Sequence, residues 1–196
     1  MRHFSRAPLA RRALAAALLV CAPAGAAGQA PSYTPADVAF MQGMIEHHAQ
    51  ALEMAALVPD RTTSEPIRLL AQRIDISQRD EIRLMREWLA KRGQAAPDPA
   101  AGHAHGAGGG HDMLMPGMLT PPQMARLAAA RGTAFDRLFL ELMIQHHEGA
   151  LTMVKTLFGT QGAAQEVPTF RYASEVDADQ RMEIERMHKL LAALPA

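Results

Sequence analysis

The chain has one cysteine in 196 residues, Cys21, and it lies close to the N-terminus. One cysteine cannot make an internal disulfide, and if the N-terminal segment is removed no thiolate ligand remains either. The fold must then rest on a packed core or on bound metal. Aromatic residues are scarce, at 5%, and 20 Lys+Arg balance 20 Asp+Glu. Such a chain lacks the basic, aromatic-rich surface that nucleic acid requires. Long apolar runs are missing; the one near the start, Ala13 to Ala22, is too short to cross a bilayer as a helix. No alternating pattern argues for strands. There is no phosphate-binding loop, oxyanion device or nucleophile arrangement. Ser77 has Asp75 and Asp80 nearby but no base in a triad-like position.

The first 27 residues read as a secretory signal peptide. Arg2, Arg6, Arg11 and Arg12 precede the apolar run, and Ala24-Gly25-Ala26-Ala27 supplies small residues for cleavage. Arg11-Arg12 is also a minimal twin-arginine pair. Cys21 would suit a lipoprotein, but Val20 stands where a small residue is wanted. Cleavage near Ala27 removes four arginines and the cysteine, leaving 16 basic against 20 acidic residues. The expected product is periplasmic or secreted, with a flexible stretch over 28–33 and one domain over 34–196.

That domain is a tandem repeat. Met44-Ile45-Glu46-His47-His48 returns 99 positions later as Met143-Ile144-Gln145-His146-His147, and Met54 returns as Met153. Thr34-Pro35-Ala36-Asp37 is a strong helix start, with Thr as N-cap and Pro at the first helical position. The spacing predicts helices from Thr34 to about Val58 and from Ser64 to about Arg92, with Gly93 as the stop. Thr133-Ala134-Phe135-Asp136 reads as a second capping box, opening a helix to about Phe158. A partner helix runs from Pro168 to about Leu191. Gln78, Glu81, Ile82, Met85 and Leu89 recur as Gln180, Glu183, Ile184, Met187 and Leu191, at an offset of 102. Both helices of each hairpin therefore repeat. The expected fold is an all-α four-helix bundle made of hairpins 34–92 and 133–192. A linker over 93–119 and a short helix over 120–131, capped by Thr120-Pro121-Pro122-Gln123, join them.

Placed at about 100° per residue, Met41, Met44, His48, Ala51, Leu52 and Ala55 share one buried stripe, with His47 and Met54 on its flank. The repeat has Leu140, Met143, His147, Ala150, Leu151 and Val154 in the stripe and His146 and Met153 on the flank. Met85 and Met187 are central on the partner helices, with Glu81 and Glu183 beside them. Imidazole is a borderline ligand and thioether a soft one, so a His/Met set without thiolate suits Cu(I), and Cu(II) through the imidazoles. The candidate ligands are Met44, His47, His48, Met54, Met85, Met143, His146, His147, Met153 and Met187. Glu81 and Glu183 are candidate acceptors for the other ring nitrogen of a ligating histidine. Against this stands plain packing, because methionine is a common core filler. His103, His105 and His111 in the glycine-rich linker, followed by Met113, Met115 and Met118, form a weaker metal-capturing tract.

These features resemble the domain of unknown function 305 family, which includes periplasmic copper-binding proteins of the CopM type. The residues carrying the resemblance run from Asp37-Val38-Ala39-Phe40-Met41 through His47-His48 to Ala51 and Met54, and from Phe135-Asp136 through His146-His147 to Ala150 and Met153. Met115-Pro116-Gly117-Met118 fits as well. The resemblance spans Asp37 to Leu191. It implies a ferritin-like bundle, export, and copper binding in tolerance or trafficking, with a copper-exporting or copper-accepting envelope protein as partner. No enzymatic activity is expected. Two other readings remain: an adaptor bundle without metal, and a di-iron oxidase. The oxidase would need Glu-x-x-His on two helices, and only Glu185/His188 has that spacing.

Overall fold

The computed structural model describes residues 33–98 and 114–195. The segment read as a signal peptide, and His103, His105 and His111, lie outside the described residues. Among those described there are five α-helices and no strands: α1 Pro35–Ala56, α2 Glu65–Ala90, α3 Pro121–Ala129, α4 Gly132–Gly159 and α5 Val167–Ala193. A 3-10 turn, Val58–Asp60, follows α1. The helices pair as hairpins, α1 with α2 and α4 with α5, and α1 packs on α4. This is the all-α four-helix bundle expected.

Local chemistry sets several helix ends. The Asp37 amide donates to Thr34 Oγ1 at 3.3 Å, and Asp37 Oδ2 accepts from the Thr34 amide at 2.7 Å, completing the capping box. Thr120 and Gln123 do the same for α3. Gly93, at φ +65°, ends α2, with the Gln94 amide reaching back to the Leu89 carbonyl at 3.0 Å. The second capping box expected at Thr133 does not form. Helix α4 starts earlier, with Arg131 as N-cap and no side-chain cap. Gly132 takes φ +55° and gives its amide to the Arg61 carbonyl at 2.7 Å, which places Thr133 inside the first turn. Asp136, the repeat-mate of Asp37, is buried with Oδ1 unpartnered.

The core is in two apolar parts. One contains Met54, Ile67, Leu70, Ile74, Phe135, Phe139, Met143 and Met187. The other contains Phe40, Met41, Met44, Ile82, Met85, Trp88, Tyr172 and Val176. Burying each such side chain contributes about 1.5–3 kcal/mol. Every long helix passes from one part to the other, and α1 does so in the opposite sense to α4. Between them each helix carries polar residues: His47 and His48 on α1, Gln78 and Glu81 on α2, His146 and His147 on α4, Gln180 and Glu183 on α5. The bundle therefore has a polar layer across its middle.

A strap crosses α1 and α4 at this level. Its residues 114–119 close the linker, and Met118 and Leu119 are buried. Gln50 clamps it: the Leu119 amide donates to Gln50 Oε1 at 2.6 Å, and Gln50 Nε2 donates to the Leu119 carbonyl at 2.9 Å. Gln145 Nε2 donates to the Gly117 carbonyl at 3.2 Å. Gly117 takes φ +76°, and a Cβ on Gly149 would lie 1.9 Å from the Pro116 oxygen. Only a glycine on α4 admits the strap this closely.

Candidate metal centre

All four imidazoles of the polar layer are fully buried, each at 0% exposure. They divide into two kinds. His47 and His146 face each other across the α1–α4 contact, with ring centroids 3.9 Å apart and planes tilted by 39°. His48 and His147 turn to the partner helices: His48 Nε2 lies 2.5 Å from Glu81 Oε2, and His147 Nε2 lies 2.6 Å from Glu183 Oε2. The second contact is aligned as a hydrogen bond; the first is a close approach without that alignment. The helical wheel put His48 and His147 at the stripe centres, yet the flank pair is the one that meets. Helices α1 and α4 touch along those flanks, while the centres face α2 and α5.

Hydrogen bonding fixes the tautomers. The Pro116 carbonyl can only accept, so His47 Nε2, 3.0 Å away, donates to it and His47 Nδ1 keeps a lone pair. His147 Nε2 points to Glu183 Oε2 in the same way. Neither Nδ1 has a partner, nor has His48 Nδ1, nor either nitrogen of His146. Leaving a buried polar atom unsatisfied costs about 1–3 kcal/mol. Gln78 adds two more unpartnered atoms and Gln180 one.

Electrostatics keep His47 and His146 neutral. Burial, then the neighbouring His48 and His147, pull His47 from 6.5 down to about 3, against the opposing pull of the Pro116 carbonyl. Burial and the other three imidazoles hold His146 well below 6.5. The His47 backbone opposes this shift without making a hydrogen bond to the ring. A neutral imidazole with a bare ring nitrogen is the form that ligates metal.

The methionines bracket the layer. Met44, Met54, Met85, Met143 and Met187 are all fully buried, and Met153 is half-buried. Met44 and Met143 sit one turn before the histidines; Met85 and Met187 sit one turn after Glu81 and Glu183. Among the described residues no three His, Asp or Glu side chains converge closely enough to hold an ion. Glu185 and His188, the one di-iron-like pair, are exposed, and Glu185 pairs with Lys189 at 2.6 Å. A groove of about 1060 Å³ lies on α1 and α2 beside Arg79, Arg83 and Arg86 and has none of the four imidazoles in its lining.

Residues 37–191 match the family model described as "Domain of unknown function (DUF305)". The chain belongs to the DUF305 family. Solved structures of the family share the fold. A DUF305 fragment from Deinococcus radiodurans is 34% identical, with a TM-score of 0.69, covering 84% of this chain and 100% of that one. A proposed secreted DUF305 protein from Streptomyces coelicolor is 31% identical, with a TM-score of 0.68 over 83% of this chain and 94% of its own. CopM in its Cu(II)-bound form is 25% identical, with a TM-score of 0.62 over 80% of this chain and 95% of its own. CopM has also been solved with Cu(I) and with silver. No curated protein matches the chain in sequence. The bundle is thus the ferritin-like one of this family. Among the described residues no helix is long and apolar enough to cross a membrane.

Sequence reasoning missed the strap as part of the centre, along with Pro116, Gln50 and Gly149. One signal was available. The repeat differs at one position inside the motif, Glu46 against Gln145. Gln145 is the residue that donates to Gly117 and accepts from Gln123. An ionised carboxylate such as that of Glu46 cannot do both.

Proposed function

We propose that this DUF305 protein is an exported, non-enzymatic copper carrier that serves in tolerance, buffering or trafficking. The observation that carries the reading is the buried layer of four imidazoles with unpartnered ring nitrogens between two methionine-bearing apolar clusters. His47 and His146 supply facing nitrogen donors. Met44, Met54, Met85, Met143 and Met187 are the buried thioethers available to complete Cu(I) coordination, and the imidazoles serve Cu(II). Glu81 and Glu183 orient His48 and His147, as carboxylates do for ligating histidines. The solved copper complexes of CopM support the assignment by analogy of fold. Such a carrier hands its ion to, or takes it from, another envelope protein.

The test is an anaerobic Cu(I) titration of the purified protein against a competing chelator. Beside it run a His47/His48/His146/His147→Ala variant and the milder H47Q/H146Q pair, with helicity checked by circular dichroism. The expected result is tight binding in the wild type and at least a tenfold loss in folded H47Q/H146Q. Undiminished affinity in both variants would move the ligands elsewhere in the chain. No binding by the wild type would leave a packing-only bundle.

A further inference from the structure

A second soft-donor pair lies outside the imidazole layer. Met115, on the strap, and Met153, on α4, converge over Gly43 of α1. A Cβ built on Gly43 would lie 3.1 Å from Met115 Sδ and 3.4 Å from Met153 Cε. The space a side chain would fill is thus taken by two thioether ends from two different elements.

Both elements are held in place. Pro116, next to Met115, bonds His47, and the Met118 amide closes a turn onto the Met115 carbonyl at 3.1 Å. Both methionines are half-buried, so an ion can reach them from solvent. Met153 and Pro116 line a cavity of about 290 Å³ with Ala39 and Phe40.

The arrangement exists in one half of the repeat only. Gly43 has Leu142 as its mate, and the mate of Met153 is Met54, which is fully buried in the apolar core. An ordinary packing methionine would be expected to look like Met54. Thioethers carry no charge and do not compete with protons. With no carboxylate or imidazole in the pair, it discriminates in favour of soft monovalent ions over divalent ones.

We propose that Met115 and Met153 form a two-thioether site for a soft monovalent cation, Cu(I) or Ag(I), at the edge of the strap and separate from the imidazole layer. The proposal rests on the copper-handling reading and deepens it by placing a solvent-reachable soft site beside the buried centre.

The probe is Ag(I), titrated into the full chain labelled with ¹³C at the methionine ε-methyl groups. M115L and M153L, which conserve volume, assign the two resonances and serve as the site variants. Expected are joint shifts of both resonances in the wild type and in H47Q/H146Q. Either Leu substitution should cost one equivalent of bound Ag(I) and abolish the shift of the remaining partner. Silver binding that leaves both resonances unmoved, or full stoichiometry in both single variants, would overturn the site while leaving the copper reading intact. A wild type that binds no silver at all would overturn both.

Discussion

At the residue scale, the layer is defined by what its histidines lack. His47 and His146 stay uncharged because burial and neighbouring imidazoles penalise the cation, and this couples folding to pH. Above about pH 6.5 the folded and unfolded states are equally deprotonated at these rings, and the shift contributes nothing. Below it the unfolded chain takes up protons while native His47 resists until about pH 3. The unfolded state then binds more protons, so stability falls as the pH drops through this window. The slope approaches about 1.4 kcal/mol per pH unit for each such histidine. Urea unfolding of the metal-free protein should thus lose about 2 kcal/mol for His47 alone between pH 7 and pH 5, and H47Q should remove that share. A midpoint that does not move between these pH values would show that the rings are not held neutral.

At the scale of elements, the strap makes two related halves unequal. Its backbone touches α4 where only glycine fits, and its Leu119 amide and carbonyl are both spent on Gln50. Gly149→Ala should force the strap away from α4, with a cost of about 1–3 kcal/mol from overpacking. Hydrogen exchange at the Leu119 amide should accelerate in the same variant, since its partner on α1 is reached only from the docked position. Protection unchanged from wild type would mean the strap is held by other contacts. By contrast, the exposed i,i+4 pairs Asp75–Arg79 and Asp177–Arg181 recur at the same register in the two hairpins, at 2.8 Å each. Pairs of this kind, exposed to solvent and salt, are worth little. The strap, not surface charge, is where the linker gains a structural role.

For the whole molecule, a polar layer in the middle of a small bundle is a cost that a ligand can offset. An ion that binds only the folded state stabilises it by about 2.7 kcal/mol at 100 times its dissociation constant. For a domain of this size that corresponds to a rise of about 5–11 °C in melting temperature. The rise should be present under reducing conditions with Cu(I) and be reduced in H47Q/H146Q. An unchanged melting temperature in the presence of copper would favour a bundle that uses these residues for packing alone.

The number, order and pairing of the helices were legible in the chain itself. Period, capping residues and the repeats at 99 and 102 positions are local or pairwise signals, and each has one structural solution. Even so, Thr133 resembles Thr34 in sequence but not in role, because a long-range bond from Gly132 to Arg61 starts α4 earlier. The identity of the buried histidines was also legible, since a helical wheel shows which positions turn inward. A wheel does not show which neighbour each position faces. That His47 meets His146, while His48 and His147 turn to carboxylates, depends on α1 packing directly on α4. That Pro116 locks one ring and Met115 joins Met153 depends on a strap whose docking rests on glycines at 117 and 149. The sequence determined the donors; the packing of α1, α4 and the strap decided which of them share a site, because those contacts are made between residues far apart along the chain.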